Sequence, residues 1–110
     1  MEINSEKQNS NFIKFTAVEN GKIIGRAYLF IILNDFGKGP YGFIEDVFVE
    51  EGNRGKGVGS KLVNSAIEEA KKQNCYKIIC TSRYEKPEVH SLYQKLGFKD
   101  HGKEFRIDLR

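Results

Sequence analysis

"VFVEEGNRGKGVGSKL", residues 47 to 62, sets an apolar, β-forming run against a glycine-rich loop and the start of an amphipathic helix. Four glycines (Gly52, Gly55, Gly57, Gly59) and three cations (Arg54, Lys56, Lys61) fall between Glu50 and Leu62. Glycine admits left-handed backbone and lets a ligand approach the main chain without a Cβ in the way. A helix N-terminus leaves amides without intrahelical acceptors and carries roughly half a positive charge. The stretch therefore reads as a seat for a phosphate or, better, a pyrophosphate. A turn that only reverses the chain seldom needs so many glycines. The spacing excludes two familiar phosphate loops. Gly52 and Gly57 are separated as in GxxxxGK[ST], but Val58 and Gly59 follow where Lys and Ser/Thr are required. Gly55, Gly57 and Gly59 run as GxGxG, not GxGxxG, and the acidic residue of the dinucleotide fingerprint is missing from "CTSR".

Outward from this loop the chain alternates short elements. "FIKFTAVE" (12–19) puts Phe12, Lys14, Thr16 and Val18 on one face and Ile13, Phe15 and Ala17 on the other. Asn20-Gly21 is a strong hairpin signal, and "KIIGRAYLFIIL" (22–33) is the returning strand, with Gly25 marking a bulge. "YGFIEDVFVE" (41–50) is a third strand. "SKLVNSAIEEAKKQN" (60–74) repeats Leu62, Val63, Ala66, Ile67 and Ala70 at helical spacing, and Asn74 is a suitable stop. "YKIICTS" (76–82) is a short inner strand. Pro87 opens a second helix bearing Val89, Leu92, Tyr93 and Leu96, and Gly97 closes it. "EFRIDLR" (104–110) alternates as a last strand.

The expected order is β-β-β-α-β-α-β. That is an α/β (α+β) fold with a mixed, mostly antiparallel sheet and two helices packed on it, the helical crossover joining two parallel strands. With 110 residues, no repeat and no linker, residues 1–110 are expected to form a single compact domain, with 1–10 as a flexible tail. Net charge is +3, 18 Lys and Arg against 15 Asp and Glu, which suits an anionic ligand and argues against nucleic acid. Cys75 and Cys80 form no CxxC pair, and Cys80 in "KIIC" reads as packing, so neither a disulfide nor a metal site is expected. No apolar run approaches the ~20 residues of a membrane helix, and "MEINSEKQNSN" lacks the apolar core of a signal peptide. A cytoplasmic protein with no membrane partner is expected.

The loop and a second segment carry a resemblance. "VFVEEGNRGKGVGSKL" resembles the acetyl-CoA loop of the GNAT superfamily of N-acetyltransferases, Arg/Gln-x-x-Gly-x-Gly/Ala, with Arg54, Gly57 and Gly59 filling the pattern. Downstream, "HSLYQKLGF" resembles the "fYeklGF" helix end of these enzymes. Together they cover about residues 41 to 100, in the family's order. The resemblance implies the GNAT fold and acetyl-CoA as co-substrate, with no metal. It implies that the backbone from Arg54 through Gly55, Lys56, Gly57, Val58 and Gly59 to Ser60 holds the coenzyme A pyrophosphate. It further implies that Phe48 and Val49 pair with the pantetheine arm as an added strand, in a gap between the third strand and "YKIICTS".

For the chemistry, the resemblance implies that Tyr93 is the general acid that protonates the departing thiolate. "GFIEDVFVEEGNRGKG" is similar to the diamine acetyltransferase branch, where the glutamate of an "ED" pair is the base, which favours Glu45. Glu45 and Asp46 are adjacent on a strand, so one is expected on each face; either one would otherwise be a solvated charge or a partner for Arg26 or Lys56. His90 reads as a surface helix histidine, and His101 has no role.

Compared with typical members, the opening strand-helix unit is missing or abbreviated, and Lys86 stands where an asparagine is common. The acceptor cleft is then open, or completed by a second copy in a homodimer. The function expected is acetylation of a primary amine on a small molecule, polyamine-like or amino-acid-like, or of a protein amine. The alternative is a non-catalytic acyl-CoA-binding module of the same fold.

Overall fold

The computed structural model describes residues 1–110. Strands β1 (Phe12–Glu19), β2 (Lys22–Ile32) and β3 (Tyr41–Val49) form an antiparallel meander, and β4 (Ile78–Cys80) adds to β3 in parallel. Helix α1 (Val58–Lys72) follows a short 3-10 turn (Glu51–Asn53) and makes the crossover from β3 to β4, and α2 (Pro87–Lys95) follows β4. This is the expected mixed, mostly antiparallel sheet with two helices.

The local signals act as the sequence requires. Asn20 (φ +52°) and Gly21 (φ +77°) form the tight hairpin turn, with Glu19 opposite Lys22. Where the β1–β2 register shifts, Ile24, beside Gly25, is the extra residue of β2. On β2 the period-two alternation is complete: Ala27, Leu29 and Ile31 are buried and Arg26, Tyr28 and Phe30 only partly so. Helix α1 buries Leu62, Val63, Ala66 and Ala70 on one stripe. Asn74 (φ +61°) ends it, with the Cys75 amide turned back to the Ala70 carbonyl at 3.0 Å. Leu29 and Val63, both at 0% exposure, anchor the core, and burial of side chains this size contributes about 2 kcal/mol each. Tyr93, Leu96 and Phe98 carry α2 onto the same core.

Three expectations change. Helix α1 begins at Val58, inside the glycine loop, because Gly57 at φ +81° already makes the turn into it. Strand β4 is shorter than 76–82, since β3 offers it partners only from Gly42 to Ile44. Residues 104–110 form no strand: Phe105, Ile107 and Leu109 are exposed. Alternation assigns side chains to faces but does not supply a neighbouring strand.

Candidate active site

Strand β3 has partners on both sides up to Ile44, where the pairing with Cys80 of β4 ends. From Glu45 to Val49 it pairs only with β2, so its other edge is free. The unpaired edge lies where the gap was expected; Glu45, Phe48 and Val49 are on it, and the loop from Arg54 to Ser60 follows it.

The loop presents a row of free donors. None of the backbone amides of Gly55, Lys56, Gly57, Val58, Gly59 and Ser60 donates to a protein acceptor; the first amide engaged is that of Lys61, to the Gly57 carbonyl at 3.1 Å. Gly55 (φ +78°) and Gly57 (φ +81°) hold left-handed backbone, and a Cβ at either would meet nothing. Conformation, not crowding, is what requires glycine there. A Cβ on Gly59, in the first turn of α1, would stand 3.7 Å from Leu92 of α2 and 3.9 Å from Val49 of β3. Lys56 and Lys61 are exposed at the rim. The Arg54 side chain turns back instead, its Nε donating to the Val49 carbonyl at 2.9 Å.

Tyr93 is half-buried and edge-on to Phe98, with ring centroids 5.5 Å apart. Burial first, then the neighbouring Cys80 and Glu45, push its phenol up to about 12. It therefore keeps its proton at neutral pH, the state a proton donor requires. The Cys80 thiol, half-buried on the core side, is pushed up to about 11 by burial, which makes it a packing group rather than a nucleophile.

The carboxylates contradict one expectation. Glu45 and Asp46 do not point to opposite faces; both are exposed and line one open depression of ≈ 350 Å³ with Tyr28 and Phe30. Between the pairs Tyr28–Glu45 and Arg26–Phe48, β2 contributes one residue, Ala27, and β3 two, Asp46 and Val47. Asp46 adopts φ +54°. This bulge resets the alternation, which sends Val47 to the core and leaves both carboxylates on the same side. Asp46 is engaged by Arg26, Nε to Oδ2 at 2.7 Å and Nη2 to Oδ1 at 3.1 Å. The guanidinium holds its carboxyl below the usual range.

The bridge is the alternative that named Arg26 as a partner for one of the two carboxylates. What sequence reasoning missed is the bulge at Asp46 and Ser82, whose buried hydroxyl just beyond β4 has no hydrogen-bond partner. An adjacent acidic pair gives no sign of a bulge, although Asp is among the residues that tolerate left-handed backbone. His90 is more than a surface residue: its Nε2 lies 2.7 Å from the Arg83 carbonyl and ties the β4–α2 connection to α2. His101 is exposed.

A glycine loop of free amides opening a helix, beside a sheet edge left unpaired on one side, is an arrangement suited to an anionic group with an extended arm. The chain matches the model of the Acetyltransferase (GNAT) family over residues 2–98 and belongs to that family. It is 37% identical over 91 residues to the glucosamine 6-phosphate N-acetyltransferase of Trypanosoma brucei brucei, a match covering 81% of this chain and 59% of that protein. Among solved structures it resembles the glucosamine-6-phosphate N-acetyltransferase from Arabidopsis thaliana, with TM-score 0.82 and 26% identity over 90% of this chain and 67% of that one. It also resembles a Trypanosoma brucei acetyltransferase, with TM-score 0.75 and 33% identity over 89% of this chain and 69% of that one. The chain spans less than two thirds of the length of the curated relatives it matches.

Proposed function

We propose that this chain is an N-acetyltransferase that moves the acetyl group of acetyl-CoA to a primary amine on a small molecule. The observation that carries the reading is the run of free amides from Gly55 to Ser60 following the unpaired edge of β3, which bears Glu45, with Tyr93 of α2 near enough to feel the charge of Glu45.

The residues present fit coenzyme A. The amides of 55–60 and the N-terminus of α1 suit a pyrophosphate, with Lys56 and Lys61 adding positive charge at the rim. The main chain of Phe48 and Val49 suits an extended amide-containing arm. The thioester supplies an activated acetyl group. The protein supplies proton management: Glu45, exposed in the depression beside Tyr28, takes the proton of the attacking amine directly or through water. Tyr93 gives its proton to the departing sulfur. Asp46, with both oxygens engaged by Arg26, is the poorer base.

The curated relatives act on an amino sugar phosphate, so glucosamine 6-phosphate is the first acceptor to test, with a polyamine, an amino acid and a peptide amine beside it. Acetyl-CoA is expected to raise the melting temperature, as a ligand of the native state does. Thiol release should then appear with one member of the amine panel. Stabilisation without thiol release from any amine would favour the non-catalytic acyl-CoA-binding module. No stabilisation at saturating acetyl-CoA would overturn both readings.

A further inference from the structure

The bulge in β3 is costly where it stands, and something must hold it. A residue with a Cβ at φ +54° is disfavoured by roughly 1 kcal/mol, even for Asp. The extra residue also interrupts the ladder between Tyr28–Glu45 and Arg26–Phe48. The side chains around it supply three ties. Arg26 grips the Asp46 carboxylate with two bonds of 2.7 and 3.1 Å. The same guanidinium lies 4.7 Å from the centre of the Phe48 ring. Arg54, 5.6 Å from that ring centre, donates to the Val49 carbonyl. Segment 46–49 is therefore fixed at a carboxylate, a ring and a carbonyl, along the edge that β4 leaves free.

Arg26 and Asp46 are 39% and 48% exposed, and an ion pair so open to water contributes little to global stability. Its value is geometric: a planar fork meeting a carboxylate fixes orientation as well as distance. We propose that Arg26 and Asp46 are a positioning pair, whose bridge holds the β3 bulge and thereby aims Glu45 and sets the free main-chain edge of Phe48 and Val49. This rests on the acetyl-transfer reading and extends it: the two acids of the pair divide the work, Glu45 meeting the amine and Asp46 holding the strand.

The experiment compares the wild type with Arg26→Gln, Arg26→Lys, Asp46→Asn and the double variant Arg26→Gln/Asp46→Asn. It measures steady-state kinetics with acetyl-CoA and the best amine of the panel, melting temperature, and amide hydrogen exchange at residues 45–49. Arg26→Gln and Asp46→Asn should each lower kcat/KM for the amine by at least about tenfold, as misplacement of a reacting group does. They should move the melting temperature by less than about 3 °C. Exchange at 46–49 should speed up in both. The double variant should be no worse than either single one, because the two residues act as one device. Arg26→Lys, with the charge but not the fork, should recover little.

The pH profile adds a readout that a merely structural role would not move. In Arg26→Gln the Asp46 charge is no longer matched by its main partner, leaving only the more distant Lys14 of β1 to offset it. Tyr28 stands opposite Glu45 on β2, Tyr93 of α2 is near enough to feel the charge of Glu45, and Glu50 lies near position 26. None of these supplies a positive charge. The pH profile of kcat/KM should therefore differ from that of the wild type.

Wild-type exchange and kcat/KM in Arg26→Gln would overturn the proposal and leave a surface ion pair only. Full activity in Arg26→Lys would overturn the role of the fork. A wild type that acetylates no amine would instead sink the acetyl-transfer reading. The exchange of residues 46–49 in the same variants would still decide whether the bridge holds the bulge.

Discussion

The two halves of β3 obey different rules. From Gly42 to Ile44 the strand has neighbours on both sides and packs against the core; from Glu45 to Val49 it has one neighbour, a bulge and a free edge. The first half satisfies its backbone within the sheet, and its side chains are chosen for volume. The second half leaves peptide groups unpaired, and buried or half-buried peptide groups demand partners. A strand that stops pairing midway is thus a stable base for its own binding edge.

The contrast can be broken by substitution, from the largest effect to the smallest. Tyr93→Phe, beside the free half, should lower kcat by about 10²-fold or more with little change in acetyl-CoA affinity. Intact turnover in a rate assay would remove Tyr93 from the chemistry. Glu45→Gln should lower kcat/KM for the amine by a comparable ~10²-fold while leaving the melting temperature near wild type. A loss confined to the KM for acetyl-CoA would place Glu45 elsewhere.

Glycine substitutions sharpen the same comparison, because Gly42 and Gly57 are glycines for different reasons. A Cβ at Gly42, in the paired half, would stand 2.9 Å from Leu29 Cδ1. Gly42→Ala should therefore cost about 1–3 kcal/mol in denaturant unfolding and leave acetyl-CoA affinity of the folded protein unchanged. At Gly57 a Cβ meets nothing, but φ is +81°. Gly57→Val should weaken acetyl-CoA binding in calorimetry by about tenfold, since the loop must strain or move to keep its amides aligned. If the two variants exchanged phenotypes, the division of the strand would be wrong.

The smallest expected effect is alkaline. The Tyr93 phenol is raised from 10 to about 12 in the folded protein, so the folded state holds this proton more tightly than the unfolded chain. The resulting stability is fully present below pH 10 and is lost as pH rises toward about 12. In Tyr93→Phe that part of the decline should disappear from the pH dependence of the melting temperature. The half-exposed ring keeps the effect modest.

Much of this was legible in the chain. Asn20-Gly21, the β2 alternation, the α1 stripe with Asn74, and Pro87 with Gly97 each report local chemistry, and local chemistry fixed those elements. The glycine loop was legible for the same reason: its donors come from consecutive residues. Residues 104–110 misled because alternation was read without a partner. The acceptor also lay beyond the residues: polyamine-like, amino-acid-like and protein amines were all expected, while the curated relatives are glucosamine 6-phosphate N-acetyltransferases.

The sequence by itself determined the mixed sheet, its two helices and the glycine loop, because each rests on backbone propensity and spacing within a few residues. Only the tertiary structure decided where β3 loses its second neighbour, that Glu45 and Asp46 share a face, and that Arg26 holds the second of them. Those facts depend on register between strands distant in sequence. A single extra residue in one strand reverses every side chain beyond it, and no local pattern announces the residue across the sheet that holds it in place.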